Sequence, residues 1–119
     1  MYTVPNELRR GDVVRVRLDP TEGSEQAGER PALILSLDTV NQHSPVIIVA
    51  AITSKRTDRV FAFEALLDPP EGGLSLRSKV MLMQLRSVNK TRLLGYYGRA
   101  SDAAMRQVDQ ALRVAVGLK

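Results

Sequence analysis

The sequence predicts a mainly β fold, a small and strongly bent antiparallel sheet or barrel closed by one C-terminal helix. Three observations predict it. Five or six short runs either alternate apolar and polar residues or are apolar throughout, which is strand patterning. Clusters of Pro, Gly, Asp and Asn separate these runs by connections too short to hold the crossover helices of a parallel sheet. Only the segment after Gly98 repeats its apolar residues at the three-to-four spacing of an amphipathic helix.

Taken in order, residues 12–18 place Val14, Val16 and Leu18 on one face and Arg15 and Arg17 on the other, a strand with a wet side. Residues 19–29 are polar and carry two glycines without an apolar period, so a long loop is expected. The runs 32–37 and 46–52 are almost wholly apolar and rich in Val, Ile and Leu, as expected of central strands; Pro31, Pro45 and a turn at Asn41-Gln42-His43-Ser44 bound them. A strand over 60–65 alternates Phe61, Phe63 and Ala65, and Asp68-Pro69-Pro70-Glu71-Gly72-Gly73 enforces a turn. Residues 79–86 read as a further strand, with Val80 and Leu82, joined by Gln84, facing away from Met81, Met83 and Leu85. Ser101 is placed to cap the helix, whose buried stripe is Met105, Val108, Leu112 and Ala115.

Composition narrows the function. With 119 residues, 44% of them hydrophobic, the expectation is one domain over 1–119 with a real core. Seventeen basic against thirteen acidic side chains leave a charge of +4, which favours a polyanionic partner only modestly. Cysteine is absent and His43 is the lone histidine, which excludes disulfides, thiolate nucleophiles, Cys-ligated zinc and a His–His acid–base pair; no carboxylate spacing suggests a metal site either, so no metal or cofactor is expected. The opening residues lack a signal-peptide pattern and the longest apolar run is 46–52, so a cytoplasmic, non-membrane protein is expected.

Four motifs follow one another: Arg10-Gly11-Asp12-Val13; Gly23-Ser24-Glu25-Gln26 running into Gly28-Glu29-Arg30-Pro31; Ala51-Ile52-Thr53-Ser54; and Gln84-Leu85-Arg86-Ser87-Val88-Asn89-Lys90 with Arg92-Leu93. In this order the chain resembles the MazF/PemK endoribonuclease family over nearly its whole length. The resemblance implies an SH3-like barrel that forms a homodimer, cleaves single-stranded RNA without metal, and is blocked by a cognate antitoxin. It carries the catalytic arginine onto Arg30 and the catalytic threonine onto Thr53. The sequence departs from the pattern at Met83, where the family often has an acidic residue, and that bears on base preference.

The residue chemistry agrees with that role. RNA supplies its own nucleophile: the 2′-OH attacks the adjacent phosphorus and leaves a cyclic phosphate and a 5′-OH. The protein need only hold the reactants in line, stabilise charge on the phosphate oxygens and assist proton movement. A guanidinium offers a permanently charged fork of donors, which suits Arg30 to electrostatic stabilisation rather than to service as a base, with proton donation to the leaving oxygen as a further option. Thr53 ends an apolar strand, where its hydroxyl can bond a phosphate oxygen or orient the 2′-OH, and Ser54 adds a second hydroxyl; a Thr-Ser pair at a strand end is also an ordinary turn former. Gln84 and Arg86, two apart on a strand, share a face that can read base edges and phosphate or simply be solvated. Lys55 and Arg56, with Arg59, form a basic cluster that can attract phosphates or be an ordinary exposed hairpin, and Glu25 and Gln26 can contact RNA although a polar loop needs no such role. His43 is expected at the surface, and Tyr96 and Tyr97 in core and interface packing, with stacking on bases as the alternative. A CcdB-like toxin that binds DNA gyrase is the alternative on the same scaffold, and it needs no pairing of Arg30 with Thr53. An RNA-binding barrel without chemistry would explain the charge but not the ordered motifs.

Overall fold

The computed structural model describes residues 7–18 and 28–119. Among them, six strands build one antiparallel sheet: β1 (Asp12–Arg17), β2 (Glu29–Ile34), β3 (Val46–Thr53), β4 (Glu64–Leu67), β5 (Ser78–Asn89) and β6 (Leu93–Arg99), in the order β4-β5-β3-β2-β1-β6. A short helix α1 (Asp38–His43) joins β2 to β3, and the terminal helix α2 (Asp102–Val116) follows β6. The mainly β fold with one C-terminal helix is therefore as the sequence predicts.

The apolar runs lie inside the sheet because both of their faces are covered. Successive residues of a strand point to opposite faces. On one face Leu33, Ala50, Ile52 and Val80 pack with Val13, Leu67 and, from α2, Val108. On the other, Ala32, Ile34, Ile47, Val49 and Ala51 pack with Val14, Val16 and Leu18. Period two disappears where no face is wet. Each fully covered Leu, Ile or Val contributes about 1.5–3 kcal/mol. In β1 the alternation survives, since Arg15 and Arg17 stand exposed and reach Glu29 at 2.9 and 3.4 Å. Ser101 caps α2 as expected: its Oγ accepts the Ala104 N–H at 3.1 Å and donates to Glu71 at 2.7 Å.

Several expectations are corrected. The turn expected at 41–44 is largely helix α1, because Asn41 is buried and donates to the Ser36 carbonyl at 2.7 Å while Ser36 Oγ binds its side-chain oxygen and accepts the Ile48 N–H. His43, in the last turn of α1, is exposed. Glu29, expected in the loop, opens β2 through its ion pairs with β1. The strand expected over 60–65 begins only at Glu64; the Glu64 N–H donates to the Phe61 carbonyl at 2.9 Å and the Phe61 N–H to the Glu64 carboxylate at 3.0 Å, so Phe61 and Phe63 belong to a turn. The strand over 79–86 extends to Asn89 and is bent: Ile52 faces Val80 but Ala50 faces Leu85, so a bulge lies across 81–84. It reverses the expected alternation, and by register Leu85 shares the face of Val80. β6, which carries Tyr96 and Tyr97, escapes the sequence patterning because Gly95 and Gly98 interrupt its period.

Candidate functional site

Hydrogen-bonded register between β2 and β3 includes Ala32 opposite Ala51. Two residues further along both strands stand Arg30 and Thr53, on the same sheet face as that alanine pair. On its other side Thr53 pairs with Lys79 of β5. Arg30, Thr53 and Lys79 thus form a row across three adjacent strands, at the end where β2 begins and β3 stops. Register thus brings Arg30 and Thr53 onto neighbouring strand ends.

Arg30 and Thr53, but not Lys79, border an open cleft of about 340 Å³, lined also by Ser54, Ile52, Leu74, Leu76 and Tyr97. Its wall is set by an unusually close approach. At Gly73, where φ is 70°, a Cβ would sit 2.0 Å from the Tyr97 carbonyl oxygen, so only glycine permits the turn after β4 to lie against β6. Thr53 is 7% exposed, and its Oγ1 accepts the Lys55 N–H at 3.1 Å. That bond fixes the hydroxyl's acceptor side and leaves its proton to donate.

Lys79 is buried, and its ammonium donates to the Arg59 carbonyl at 2.7 Å and to Glu64 at 2.9 Å. Neither side chain of that ion pair exceeds a tenth exposure. A buried ion pair of this kind holds geometry, since losing either partner strands the other charge. Sequence reasoning missed this pair, as it did Leu74, Leu76 and Ser75 of the cleft. A lysine inside an otherwise apolar strand was the available signal for Lys79.

The remaining predicted residues divide. Ser54 lines the cleft, and Lys55 and Arg56 are exposed just beyond it, Arg56 with φ 55°. Arg86 is partly buried and its guanidinium donates to the Leu18 carbonyl at 2.8 Å; the Leu18 N–H in turn donates to Gly28 at 2.9 Å. Arg86 therefore braces the two residues that flank 19–27. Gln84 sits in the β5 bulge, partly buried, and Met83 beside it is 62% exposed. Glu25 and Gln26 lie outside the described residues. Among the described residues no three His, Asp or Glu side chains gather where they could hold a metal ion, and no helix is long and apolar enough to cross a membrane.

The first motif has another place. Arg10 donates to the Leu35 carbonyl at 2.8 Å and to Asp109 of α2 at 2.6 Å, and its N–H to Asp38 of α1 at 2.7 Å. Asp12 is buried, accepting from the Arg9 N–H at 2.8 Å and from Arg99 at 3.2 Å. Tyr96 lies beside it; burial, and then the Asp12 carboxylate, push the phenol above its usual value of 10.0. This corner ties helices to sheet.

Comparison with known proteins agrees with the motif order. Residues 9–116 match the family described as PemK-like, MazF-like toxin of type II toxin-antitoxin system. A protein named endoribonuclease MazF from Staphylococcus saprophyticus is 37% identical over 111 residues, covering 93% of this chain and 92% of that one. A mycobacterial endoribonuclease solved in complex with its cognate antitoxin superposes with a TM-score of 0.79 at 26% identity, over 94% of this chain and 97% of that one. MazF from Deinococcus radiodurans gives a TM-score of 0.79 at 25% identity, over 93% and 97%. The chain belongs to the PemK-like, MazF-like toxins of type II toxin–antitoxin systems.

Proposed function

We propose that the chain is an endoribonuclease toxin that cleaves single-stranded RNA at the cleft bordered by Arg30 and Thr53. The observation that carries this reading is the row of Arg30 and Thr53 at neighbouring strand ends beside the cleft. The Arg30 guanidinium binds the non-bridging oxygens of the scissile phosphate and gains strength as charge builds on them. Thr53 donates its hydroxyl proton to a phosphate oxygen or orients the 2′-OH, in the attitude fixed by the Lys55 N–H. The 2′-oxygen bonds to phosphorus and loses its proton, while the bond to the 5′-oxygen breaks and that oxygen gains one, giving a 2′,3′-cyclic phosphate and a 5′-OH. No metal ion or cofactor enters this scheme.

Ser54 assists at the phosphate, and Lys55 and Arg56 draw the strand toward the cleft, a contribution that salt weakens. Gln84 and Arg86 lie along the path of the flanking nucleotides, with Glu25 and Gln26 completing the contacts. The protein acts as a cytoplasmic homodimer, and a cognate antitoxin competes with RNA for the cleft; the mycobacterial relative solved with its antitoxin supports that partner.

The test is incubation of the purified, antitoxin-free protein with a diverse single-stranded RNA pool in excess EDTA, with analysis of product ends. Cleavage to cyclic phosphate and 5′-OH ends is expected. Intact RNA across the pool, with the protein shown to be folded, would overturn the assignment in favour of a toxin that acts by binding.

A further inference from the structure

Four aromatic side chains lie among the described residues, and only Phe61 is exposed, at 44%. It stacks on Phe63 with ring centroids 5.3 Å apart and planes 13° from parallel, and the Arg59 guanidinium lies 5.2 Å from its centroid. Such a ring would collapse into the surface if its backbone were loose, but here the turn is tied. The Phe61 N–H donates to Glu64, Glu64 binds Lys79, Lys79 binds the Arg59 carbonyl, and Lys79 is the cross-strand partner of Thr53. The Lys79 ammonium itself is 5.9 Å from the Phe61 centroid. The aromatic stack is thus held in the turn that enters β4, against the side chain of the residue that pairs with Thr53 across the sheet. A single residue, Lys79, therefore separates the stack from Thr53, which places it beside the path of RNA bound at Arg30 and Thr53.

We propose that Phe61, backed by Phe63 and flanked by the Arg59 guanidinium, is a stacking platform for a nucleobase of the RNA next to the scissile phosphate, a site that extends the proposed cleavage reading and rests on it for the strand's path. Aromatic and guanidinium planes both accept the face of any unpaired base, and a preformed stack spares the strand part of the ordering cost. The platform fixes position without choosing sequence.

The test keeps the platform separable from the chemistry. Binding of a short random-sequence single-stranded RNA pool, and of a matched ribose-phosphate chain lacking bases, is measured on Arg30→Ala and on Arg30→Ala with Phe61→Leu or Phe61→Trp. Leucine keeps the apolar packing and removes the π-face. The Phe61→Leu protein is expected to bind RNA about 5- to 150-fold more weakly, the worth of one base stack. Its binding of the base-free chain is expected to be unchanged, and Phe61→Trp to restore RNA binding. Equal RNA affinity with and without Phe61→Leu, or an equal loss on both polymers, would overturn the platform. So would a loss confined to antitoxin binding. A base-dependent loss in a protein whose parent form cuts no RNA would retain the platform and refute the cleavage reading instead.

Discussion

Two arginine-bearing motifs, Arg10-Gly11-Asp12 and Glu29-Arg30-Pro31, look alike on the page, each a short charged step into a strand. The fold uses them differently. Arg10 spends its donors on Leu35 and Asp109, and Asp12 is buried between the Arg9 N–H and Arg99, so the corner fastens α1 and α2 to the sheet. Arg30 and Thr53 instead stand where two central strands leave their ladder and border a cleft. A charged motif that joins elements reads as fold; one that ends paired strands beside a cavity reads as chemistry.

The sharpest probe of that division is Lys79, which belongs to both sides. Lys79→Met leaves the Glu64 carboxylate buried without its cation, and a loss of about 3–5 kcal/mol in urea denaturation is expected. Cleavage by the folded fraction should fall as well, since the Lys79 side chain holds the turn of Arg59 and Phe61 beside Thr53's strand. Next in size, Arg30→Ala should lower RNA cleavage by about 10²–10³-fold, the cost of one preorganised donor at developing charge, with the denaturation midpoint little changed. Arg10→Ala should invert the pattern. It removes the charged bonds to Asp109 and Leu35 and should cost about 2 kcal/mol of stability, while folded protein cleaves at the parent rate. The smallest effect is expected at the helix start: Ser101→Ala removes the acceptor for the Ala104 N–H and should cost about 1 kcal/mol in the same denaturation assay.

Much of this was legible in the residues. Two-sided burial of β2 and β3 showed as unbroken apolar runs, the wet face of β1 as Arg15 and Arg17, and α2 as its cap and stripe. What escaped depended on contacts distant in sequence. Asn41 becomes helical because it bonds Ser36, which is itself held by the Ile48 N–H, and β6 is held by β1 although its glycines erase the period. The bulge in β5 was invisible because a run of Val, Met and Leu looks apolar on either face, and only pairing with both β3 and β4 reveals where the register slips. For the site, ordered motifs marked Arg30 and Thr53, and register brought them together. Lys79, Leu74 and Leu76 reach the site only through folding, so no local spacing announced them.

The most direct measurement sets RNA cleavage beside thermal unfolding for Arg30→Ala and Arg10→Ala at a temperature where both are folded. The account predicts that Arg30→Ala loses cleavage and keeps its unfolding temperature, and that Arg10→Ala unfolds earlier and cleaves normally. Cleavage surviving in Arg30→Ala, or lost equally in folded Arg10→Ala, would contradict it.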